Sequence, residues 1–450
     1  MKPLLNILDY LNFDLPTKEQ TDALNAMADF VSENNCQDFY ILCGAAGTGK
    51  SSITSALIGY LNDRNIAYNI AAPTGRAARI IGRKTNCLNS TIHSLIYSVD
   101  VNAETGEVTF TLKTNTENEK TIYIIDEASM ITTLANNSEL SMFKSKNSLL
   151  ADLITFVKTG NTANKLIFLG DRNQLPPINE NESLALVPSY LESEFNLKGS
   201  LHFLTEVKRQ EDGSYIMKNA VNTRIAIEEN KSFSKIDAFK FNYISGAVTK
   251  FVQDYKNNDK DFCISINPFH KGNQLFNRLV RERIFGNTSK VLEKGDWMLV
   301  TQKWSRNGQE LYNGDHVTVE EINLMSAEFV AGLYFAPIKL KAKSLSGEDI
   351  FIDDYILLDS ISFPTGCLSI EQEKTLRGER YRKNKIFRES GFPQDDKYVG
   401  AIRLTYGYSI TCHKAQGGEW QKVYMSTFNT PSLKYQYTAI TRAISELVLY

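Results

Sequence analysis

The chain has 450 residues, a length that exceeds one ordinary folding core and predicts roughly two to four domains. Hydrophobic residues make up 42% of the sequence and charged residues 23%, a balance that excludes disordered and fibrous proteins. No apolar run reaches the ~18 residues that a membrane span requires. The formal net charge of −2 excludes a protein whose whole surface attracts nucleic acid, so any binding groove must be a local basic surface.

The N-terminal sequence and the cysteines bear on where in the cell the protein is located. Asp9 and Asp14 interrupt the apolar stretch that a secretion signal would need. The six cysteines are scattered without a CxxC pair, which favours a reducing environment over a disulfide or zinc scaffold. We therefore expect a cytoplasmic protein, in the host cytoplasm if the source is a virus, with no membrane partner.

Short apolar strands alternate with helical segments in the first half of the chain, which is typical of a parallel α/β sheet. The predicted strands cover residues 39–43, 68–72, 121–125 and 165–169. Ligands of such sheets bind beyond the carboxyl ends of the strands. Between the second and third strands, residues 99–120 alternate in polarity around Thr105-Gly106, which predicts an inserted hairpin. A surface loop without a function is the alternative interpretation.

A second α/β pattern begins near Asp261 and resumes near Ile402, with a turn-rich, strand-like region between its two parts. We predict a first domain at 1–215, with the hairpin at 99–120 inside it. The second domain comprises 216–318 and 403–450. A β-rich insertion at 319–402 interrupts the second domain and includes a basic helical segment.

The strongest local motif is GAAGTGKS, which matches G-x-x-x-x-G-K-[ST] between a predicted strand and a predicted helix. Its glycines let backbone N–H groups surround phosphates, and the helix that follows directs its positive end at them. A glycine-rich turn is the alternative. The predicted nucleotide-binding residues are Gly44, Ala45, Ala46, Gly47, Thr48, Gly49, Lys50, Ser51 and Ser52.

The segment TIYIIDEAS supplies the acidic half of the same site. Asp126 follows a predicted buried strand, where its carboxylate can hold Mg²⁺ together with the hydroxyl of Ser51. Glu127 is placed to polarise an attacking water. An isolated Asp-Glu pair is more often a solvated turn, but together with the phosphate loop it predicts a site that binds and hydrolyses a nucleoside triphosphate with Mg²⁺.

Further motifs follow in a set order along the chain. They are PTKEQTDAL, APTGRAARII, STIHSLI, LGDRNQLPPI, LTEVKRQ, YSITCHKAQGGEW and YTAITRA. From Pro16 to Arg442 this series resembles the 5′-to-3′ branch of superfamily 1 helicases, which contains the RecD-like and Dda-type enzymes. The resemblance implies an α/β fold with two RecA-like P-loop domains. It also implies an inserted β-hairpin in the first domain and an SH3-like β-rich insertion in the second.

The resemblance implies roles around the nucleotide. Gln20 would read the adenine, and Gln174 would sense the γ-phosphate. Arg209 and Arg442 would reach that phosphate from the facing side, where guanidinium groups stabilise developing charge. Ordinary surface charge is the alternative for both arginines. Residues Gln416, Gly417 and Glu419 would relay between the nucleotide and the nucleic acid.

The resemblance also implies a track for the nucleic acid. The first domain would contact the strand through Pro73, Thr74, Thr91 and His93, and the second through Thr411 and His413. Helix capping or a buried structural role is the alternative for the two histidines. Phe110 in the hairpin is the candidate for stacking on the separated base pair. Three basic clusters, at 76–84, 278–283 and 377–388, would line the groove or form solvated helix faces.

The resemblance implies a monomeric ATP-dependent helicase that moves 5′ to 3′ on single-stranded DNA and separates duplex DNA at junctions, and the direction of movement rests wholly on it. Replication or recombination proteins are the implied protein partners. The alternatives are a single-strand translocase that remodels protein–DNA complexes with little unwinding, an RNA-directed motor, and a catalytically silent binding subunit. The intact set of charged motif residues argues against the last alternative.

Overall fold

The computed structural model describes residues 5–85, 87, 90–101, 108–135, 143–144, 146–206, 214–287, 291–344, 347–363 and 365–450. The chain divides into two units. The first comprises Met1–Ser98, Phe110–Asn137 and Ser145–Met217, and the second comprises Val99–Thr109, Ser138–Lys144 and Lys218–Tyr450. No helix in these described ranges is long and apolar enough to cross a membrane.

The N-terminal part of the chain alternates strands and helices, as the sequence predicts. Its strands are β1 Phe39–Gly44, β2 Ala67–Ala72, β3 Ser90–Thr91, β4 Tyr97–Val101, β5 Val108–Leu112, β6 Thr121–Ile125, β7 Phe143–Lys144, β8 Lys165–Gly170 and β9 Gly199–Leu204. Its helices are α1 Lys18–Val31, α2 Lys50–Asp63, α3 Gly75–Thr85, α4 Ile92–Ile96, α5 Leu149–Gly160 and α6 Pro188–Phe195.

Six of these strands form one sheet in the order β3-β2-β6-β8-β1-β9, and every pair in it is parallel. Successive side chains of β1 enter opposite cores. Tyr40 and Leu42 pack with α1 and α2, whereas Phe39 and Ile41 pack with α5 and α6. Helices on both faces explain why the strands are continuous apolar runs.

Strands β4 and β5 overlap the range of the predicted hairpin and join β7 in a separate three-stranded sheet. The predicted turn, including Thr105 and Gly106, lies outside the described residues.

From Lys218 onward, the described residues of the second unit form a five-stranded sheet, a six-stranded sheet, a two-stranded sheet and seven helices. The strands are β10 Phe239–Lys240, β11 Cys263–Asn267, β12 Trp297–Val300, β13 Trp304–Arg306, β14 Gln309–Leu311, β15 His316–Ile322, β16 Glu328–Val330, β17 Leu333–Lys343, β18 Asp349–Leu357, β19 Leu404–Tyr406, β20 Ser409–Thr411, β21 Trp420–Met425 and β22 Ala443–Leu449. The helices are α7 Tyr215–Glu228, α8 Ile244–Asn257, α9 His270–Phe285, α10 Ile370–Lys383, α11 Lys385–Ser390, α12 Cys412–Ala415 and α13 Leu433–Ile440.

One sheet of the second unit is parallel and has the order β10-β22-β21-β11-β20. The six-stranded sheet is antiparallel, with the order β16-β17-β15-β12-β19 and with β18 paired to β17. Strands β13 and β14 pair with each other in a two-stranded antiparallel sheet. The six-stranded antiparallel sheet extends from Trp297 to Tyr406, so the predicted insertion at 319–402 falls inside it. Because β12 pairs with β19, the chain enters and leaves this sheet on adjacent strands.

A buried ion pair connects α9 to the start of the antiparallel sheet. Asp296 is fully buried and accepts hydrogen bonds from Arg281 at 2.8 and 2.9 Å and from the Tyr408 hydroxyl at 3.0 Å. The backbone N–H of Glu293 donates to the same carboxylate at 2.8 Å. The carboxylate is therefore well satisfied, which is what makes a buried charge tolerable.

We expect Asp296→Asn to destabilise the second unit by about 3–5 kcal/mol, because it leaves the buried Arg281 without a counter-charge. Urea unfolding followed by tryptophan fluorescence measures the change, since Trp297 adjoins the site. Asp349→Asn, at an exposed pair with Lys341 and Lys343, is the matched control and should change little. An equal response of the two variants would contradict the importance of the buried pair.

Candidate nucleotide and nucleic-acid site

The phosphate loop joins β1 to α2 through residues whose backbone only glycine adopts easily. Gly47 and Gly49 have φ angles of 82° and 88°. A Cβ on Gly49 would lie 2.7 Å from Gln20 Nε2, and a Cβ on Gly44 would lie 2.6 Å from Thr48 Oγ1. The loop is therefore a tight cradle that a side chain would fill, and α2 begins at its end with the first-turn N–H groups that anions favour.

Lys50 is held inside this cradle. Its Nζ donates to the carbonyl oxygens of Gly44 at 2.5 Å and Ala45 at 3.1 Å. Thr48 is fully buried, and its hydroxyl donates to Ala45 O at 2.9 Å. Ser51, next along α2, is exposed. The ammonium and the adjacent hydroxyl thus lie at the start of one helix, as phosphate and Mg²⁺ binding require.

Gln20 supports the phosphate loop from α1. It is only 2% exposed, and its Nε2 donates to Thr48 O at 2.9 Å. Its Oε1 accepts the N–H of Thr17 at 2.9 Å, which completes a capping box with the Thr17 hydroxyl. Both polar atoms of this amide therefore bond to protein. The adenine contact stays a prediction, whereas the support of Thr48 is a role that the motif did not indicate.

Asp126 and Glu127 follow the fully buried strand β6. The Asp126 N–H donates to Ala71 O at 2.9 Å, and the Glu127 N–H donates to Asp126 Oδ1 at 2.9 Å. Glu127 has a φ of 50°, a left-handed backbone that costs energy in a residue with a side chain. Strain of this kind persists where the surrounding structure holds a functional side chain in a chosen direction.

Gln174 lies in the turn that follows β8. Its side chain is only 3% exposed, and within the described structure its Oε1 has no hydrogen-bond partner. A buried acceptor without a donor is costly. Oε1 suits a donor such as water, whereas a phosphate oxygen would need the amide Nε2 as its donor.

The parallel register brings these motifs to one edge of the first sheet. Cys43 of β1 pairs with Gly170 of β8, and Ile125 of β6 pairs with Phe168 of β8. The phosphate loop, the Asp126-Glu127 pair and the Gln174 turn therefore follow three adjacent strands. Strands β2 and β3 end at the same edge, because Ala72 pairs with Thr91.

The residues predicted to contact nucleic acid follow β2 and β3. The Thr74 hydroxyl accepts the N–H of Ala77 at 3.2 Å, and the Thr91 hydroxyl accepts the N–H of Ser94 at 3.2 Å. Each hydroxyl thus caps the first turn of a helix. Pro73 precedes Thr74 at the end of β2 and is partly exposed. The structure places all three residues at the strand ends, and their nucleic-acid contacts stay predictions.

His93 belongs to a cluster of three rings at the base of the hairpin. Its ring centroid lies 5.8 Å from that of Tyr97 and 5.9 Å from that of Phe110. The imidazole keeps an exposed edge, but desolvation by its surroundings lowers its pKa, so the neutral ring is favoured. A neutral imidazole binds a phosphate through a hydrogen bond that is easily released.

Phe110 is half-buried rather than projecting freely. Its centroid lies 5.2 Å from that of Tyr97, and it packs against the core beneath α5. The Tyr97 hydroxyl donates to Asp152 Oδ2 at 2.6 Å, and Asn147 donates to Oδ1 at 2.8 Å. These contacts attach the base of the hairpin to α5. Asp152 is a supporting residue that no sequence motif marked.

The predicted second-unit residues also lie at strand ends. Thr411 ends β20 beside Asn267 of β11, and His413 follows it in α12. Gln416 is buried, Gly417 has a φ of 74°, and Glu419 is exposed. Among the predicted residues, Arg209 alone lies outside the described part of the chain.

Arg442 is 4% exposed and is held by its own unit. Its guanidinium donates to Thr438 O at 3.1 Å, Gly418 O at 3.2 Å and Thr441 Oγ1 at 3.1 Å. The segment between Gln416 and Glu419 is thereby tied to the arginine that follows α13. A link between these two motifs was expected only through the bound nucleotide.

Two of the three basic clusters, at 278–283 and 377–388, contain cations that are paired with acids. Arg281 is bound to Asp296, and Arg278 lies 3.7 Å from Glu282. In α10 and α11 the paired cations are Arg377 with Glu373, Arg380 with Asp396, Lys383 with Glu379 and Lys385 with Glu389. Phe387 is fully buried against the antiparallel sheet, so it is unsuited to base stacking. Of these paired cations, Arg281 and Arg377 are buried, whereas Lys383 is exposed, and the pairing makes each of them less available to phosphates.

Comparisons with known proteins find matches to two family models. Residues 28–180 match the model of the AAA domain, and residues 406–450 match that of the UvrD-like helicase C-terminal domain. The RecBCD enzyme subunit RecD of Buchnera aphidicola is 24% identical over 99% of this chain and 74% of its own length. The ATP-dependent DNA helicase dda of phage T4 is 28% identical over 44% of this chain and 40% of its own length.

A solved structure supports the fold. The crystal structure of Pif1 helicase from Bacteroides in complex with ADP-AlF3 and ssDNA has a TM-score of 0.53 and 14% identity, over 97% of this chain and 92% of that one. At this identity the likeness concerns the fold alone, which has the mixed α/β character of two RecA-like domains.

We expect Gln20→Glu to lower the affinity for ATP and GTP by a similar factor of about ten, because it replaces the donor to Thr48 O with an acceptor. Titration calorimetry with both nucleotides measures the effect. Thr17→Ala is the control: it loses the helix cap, about 1 kcal/mol of stability, but not the loop contact. Loss of ATP binding with unchanged GTP binding would instead favour direct reading of adenine.

Proposed function

We propose that this chain, which is a superfamily 1B helicase of the RecD and Dda type, uses ATP hydrolysis to move 5′ to 3′ along single-stranded DNA and to separate duplex DNA at junctions. One of its relatives, dda of phage T4, is named an ATP-dependent DNA helicase. The direction of movement, the single-stranded track and the separation of duplex DNA are the parts of this proposal that experiments must establish.

One observation carries the proposal. The phosphate loop, the Asp126-Glu127 pair and the Gln174 turn follow the adjacent strands β1, β6 and β8, and the predicted DNA contacts follow β2 and β3 beside them. The nucleotide site and the DNA track would then share one row of strand ends. A small shift caused by hydrolysis at one end of this row reaches the other through packed strands.

The chain's own residues divide the work at the nucleotide. Lys50 would neutralise the β- and γ-phosphates, and Glu127 would accept a proton from the attacking water. Gln174 Oε1 suits the same water as a hydrogen-bond acceptor. The buried surroundings of Gln174 exclude bulk solvent and strengthen these interactions.

The oxygen atoms at this site fit Mg²⁺. Ser51 offers a hydroxyl at the start of α2, and Asp126 offers a carboxylate beyond β6, the hard ligands that this ion prefers. We propose that these two residues hold the ion, which would supply charge neutralisation for the transferred phosphoryl group.

Residues of the second unit have proposed roles at both the nucleotide and the DNA. Thr411 and His413 would contact the strand, while Arg442 would stabilise charge on the γ-phosphate, a task also proposed for Arg209. Gln416, Gly417 and Glu419 would relay between the two ligands. Since Arg442 bonds to Gly418 O, a change at the arginine reaches this relay directly.

We expect single-stranded DNA to stimulate ATP hydrolysis by at least about tenfold, because the track and the nucleotide site share an edge. Steady-state assays without nucleic acid, with DNA and with a matched RNA measure this, and Lys50→Ala and Glu127→Gln should abolish turnover. Stimulation by RNA alone would favour an RNA-directed motor. Indifference to both polymers would contradict the coupling of the two sites.

We expect Tyr97→Phe to lower duplex separation about threefold to tenfold while ATP hydrolysis stays within about twofold, since it removes only the hydrogen bond that anchors the hairpin to Asp152. Phe110→Ala should act in the same direction. The assay uses a fork with a 5′ single-stranded tail, and a 3′-tailed fork tests direction. If Phe110→Ala impairs separation and Tyr97→Phe has no effect, Phe110 acts as a wedge rather than as an anchor.

A further inference from the structure

Glu180 joins two loops of the nucleotide site. Its Oε1 accepts hydrogen bonds from the Thr132 hydroxyl at 2.6 Å and from the Thr133 N–H at 3.0 Å. Its Oε2 accepts the Thr133 hydroxyl at 2.6 Å. The carboxylate is thus held by three donors from one short segment. Hydrogen bonds to a charged acceptor are the stronger kind.

The two joined segments carry the groups that act on the γ-phosphate. Thr132 and Thr133 belong to the loop that follows Glu127, and Glu180 belongs to the loop that follows Gln174. The turn that presents Glu180 is itself closed, because the Glu180 N–H donates to Pro177 O at 3.1 Å. A short chain segment therefore separates each anchor from a reacting group.

A second contact makes the connection rigid. The Ser183 hydroxyl donates to Ser129 O at 2.9 Å, and both residues are buried. Thr132 is also fixed on its other side, since its carbonyl oxygen accepts the N–H of Leu150 at the start of α5. Two separate sets of hydrogen bonds between the same loops suppress a hinge motion that one set would allow.

We call the hydrogen bonds of Glu180 to Thr132 and Thr133 the clasp. The backbone of Glu127 gives a physical reason for it. Its left-handed conformation, with φ at 50°, is strained and persists only where neighbours over-determine it. The Glu180 contacts restrain the segment immediately beyond this residue. Without them, fewer contacts oppose relaxation of the Glu127 backbone, and we expect its carboxylate to be less well directed.

We infer that Glu180 is a positioning residue that clasps the Gln174 loop to the Glu127 loop, so that the two groups beside the γ-phosphate move as one body. The inference rests on the proposed ATP-driven function and deepens it, since neither Glu180 nor its threonine partners belong to the proposed catalytic set.

The clasp makes a distinctive prediction about the transition state. Glu180→Ala should weaken binding of the transition-state mimic ADP–aluminium fluoride about tenfold relative to ADP, because a misplacement of about 1 Å costs reactions far more than ground-state binding. The kcat for ATP should fall by a similar factor with KM within about twofold. Both are measured on the full chain with Mg²⁺, without DNA, so a failure of DNA stimulation does not affect the test.

Three variants provide the controls. Glu180→Gln keeps an oxygen acceptor and gains an N–H donor from which the Thr133 hydroxyl can accept a hydrogen bond. It should therefore retain most of the wild-type preference for ADP–aluminium fluoride over ADP. Thr133→Val removes one clasp bond from the other side and should reproduce a smaller loss. Glu182→Ala, at an exposed acid in the same loop, should behave as wild type.

Two results would overturn the inference. An unchanged ratio of ADP–aluminium fluoride to ADP affinity in Glu180→Ala would show that the clasp does not position the reacting groups. Equal losses in Glu180→Ala and Glu182→Ala would show a general effect of loop charge. If Glu180→Ala fails to fold, Thr133→Val decides the question by the same ratio.

Discussion

Parallel strand pairing is the constraint on which the rest of this structure depends. Because all pairs of the first sheet are parallel, every strand delivers its following loop to the same edge. Residues from distant parts of the sequence, such as Lys50 and Gln174, are brought to neighbouring positions without a dedicated contact between them. The second unit repeats this device with β11 and β20, which place Thr411 at the carboxyl edge of its own parallel sheet.

The positions of the motifs could be predicted from the sequence because each motif is a local pattern. A buried apolar strand followed by glycines or by Asp-Glu specifies a strand end, and β1, β6 and β8 lie where the pattern indicates. The parallel fold follows from strands alternating with helices. Wider limits of the antiparallel sheet, from Trp297 to Tyr406, could not be inferred, because β12 and β19 pair across a long intervening segment.

Supporting contacts were not predictable for the same reason. Thr133 and Glu180 are 47 residues apart, and Tyr97 and Asp152 are 55 apart, so no spacing rule marks either pair. The basic residues of α10 and α11 suggest a nucleic-acid groove that their contacts do not favour. A basic run suggests a groove, but acids one helical turn away neutralise Lys383 and Lys385, and only a tertiary fold reveals that Asp396 pairs with Arg380.

The paired state of those cations has a thermodynamic consequence. Binding of a polyanion gains much of its free energy from the release of condensed counterions, and each unpaired cation that meets a phosphate adds to the steepness with which salt weakens the complex. Cations such as Arg380 and Lys383, already matched by internal acids, release few counterions. If the strand is contacted as proposed, through the hydroxyls of Thr74 and Thr91 and the neutral imidazole of His93, ionic strength would affect the complex little, and a change in geometry rather than screening would release the strand.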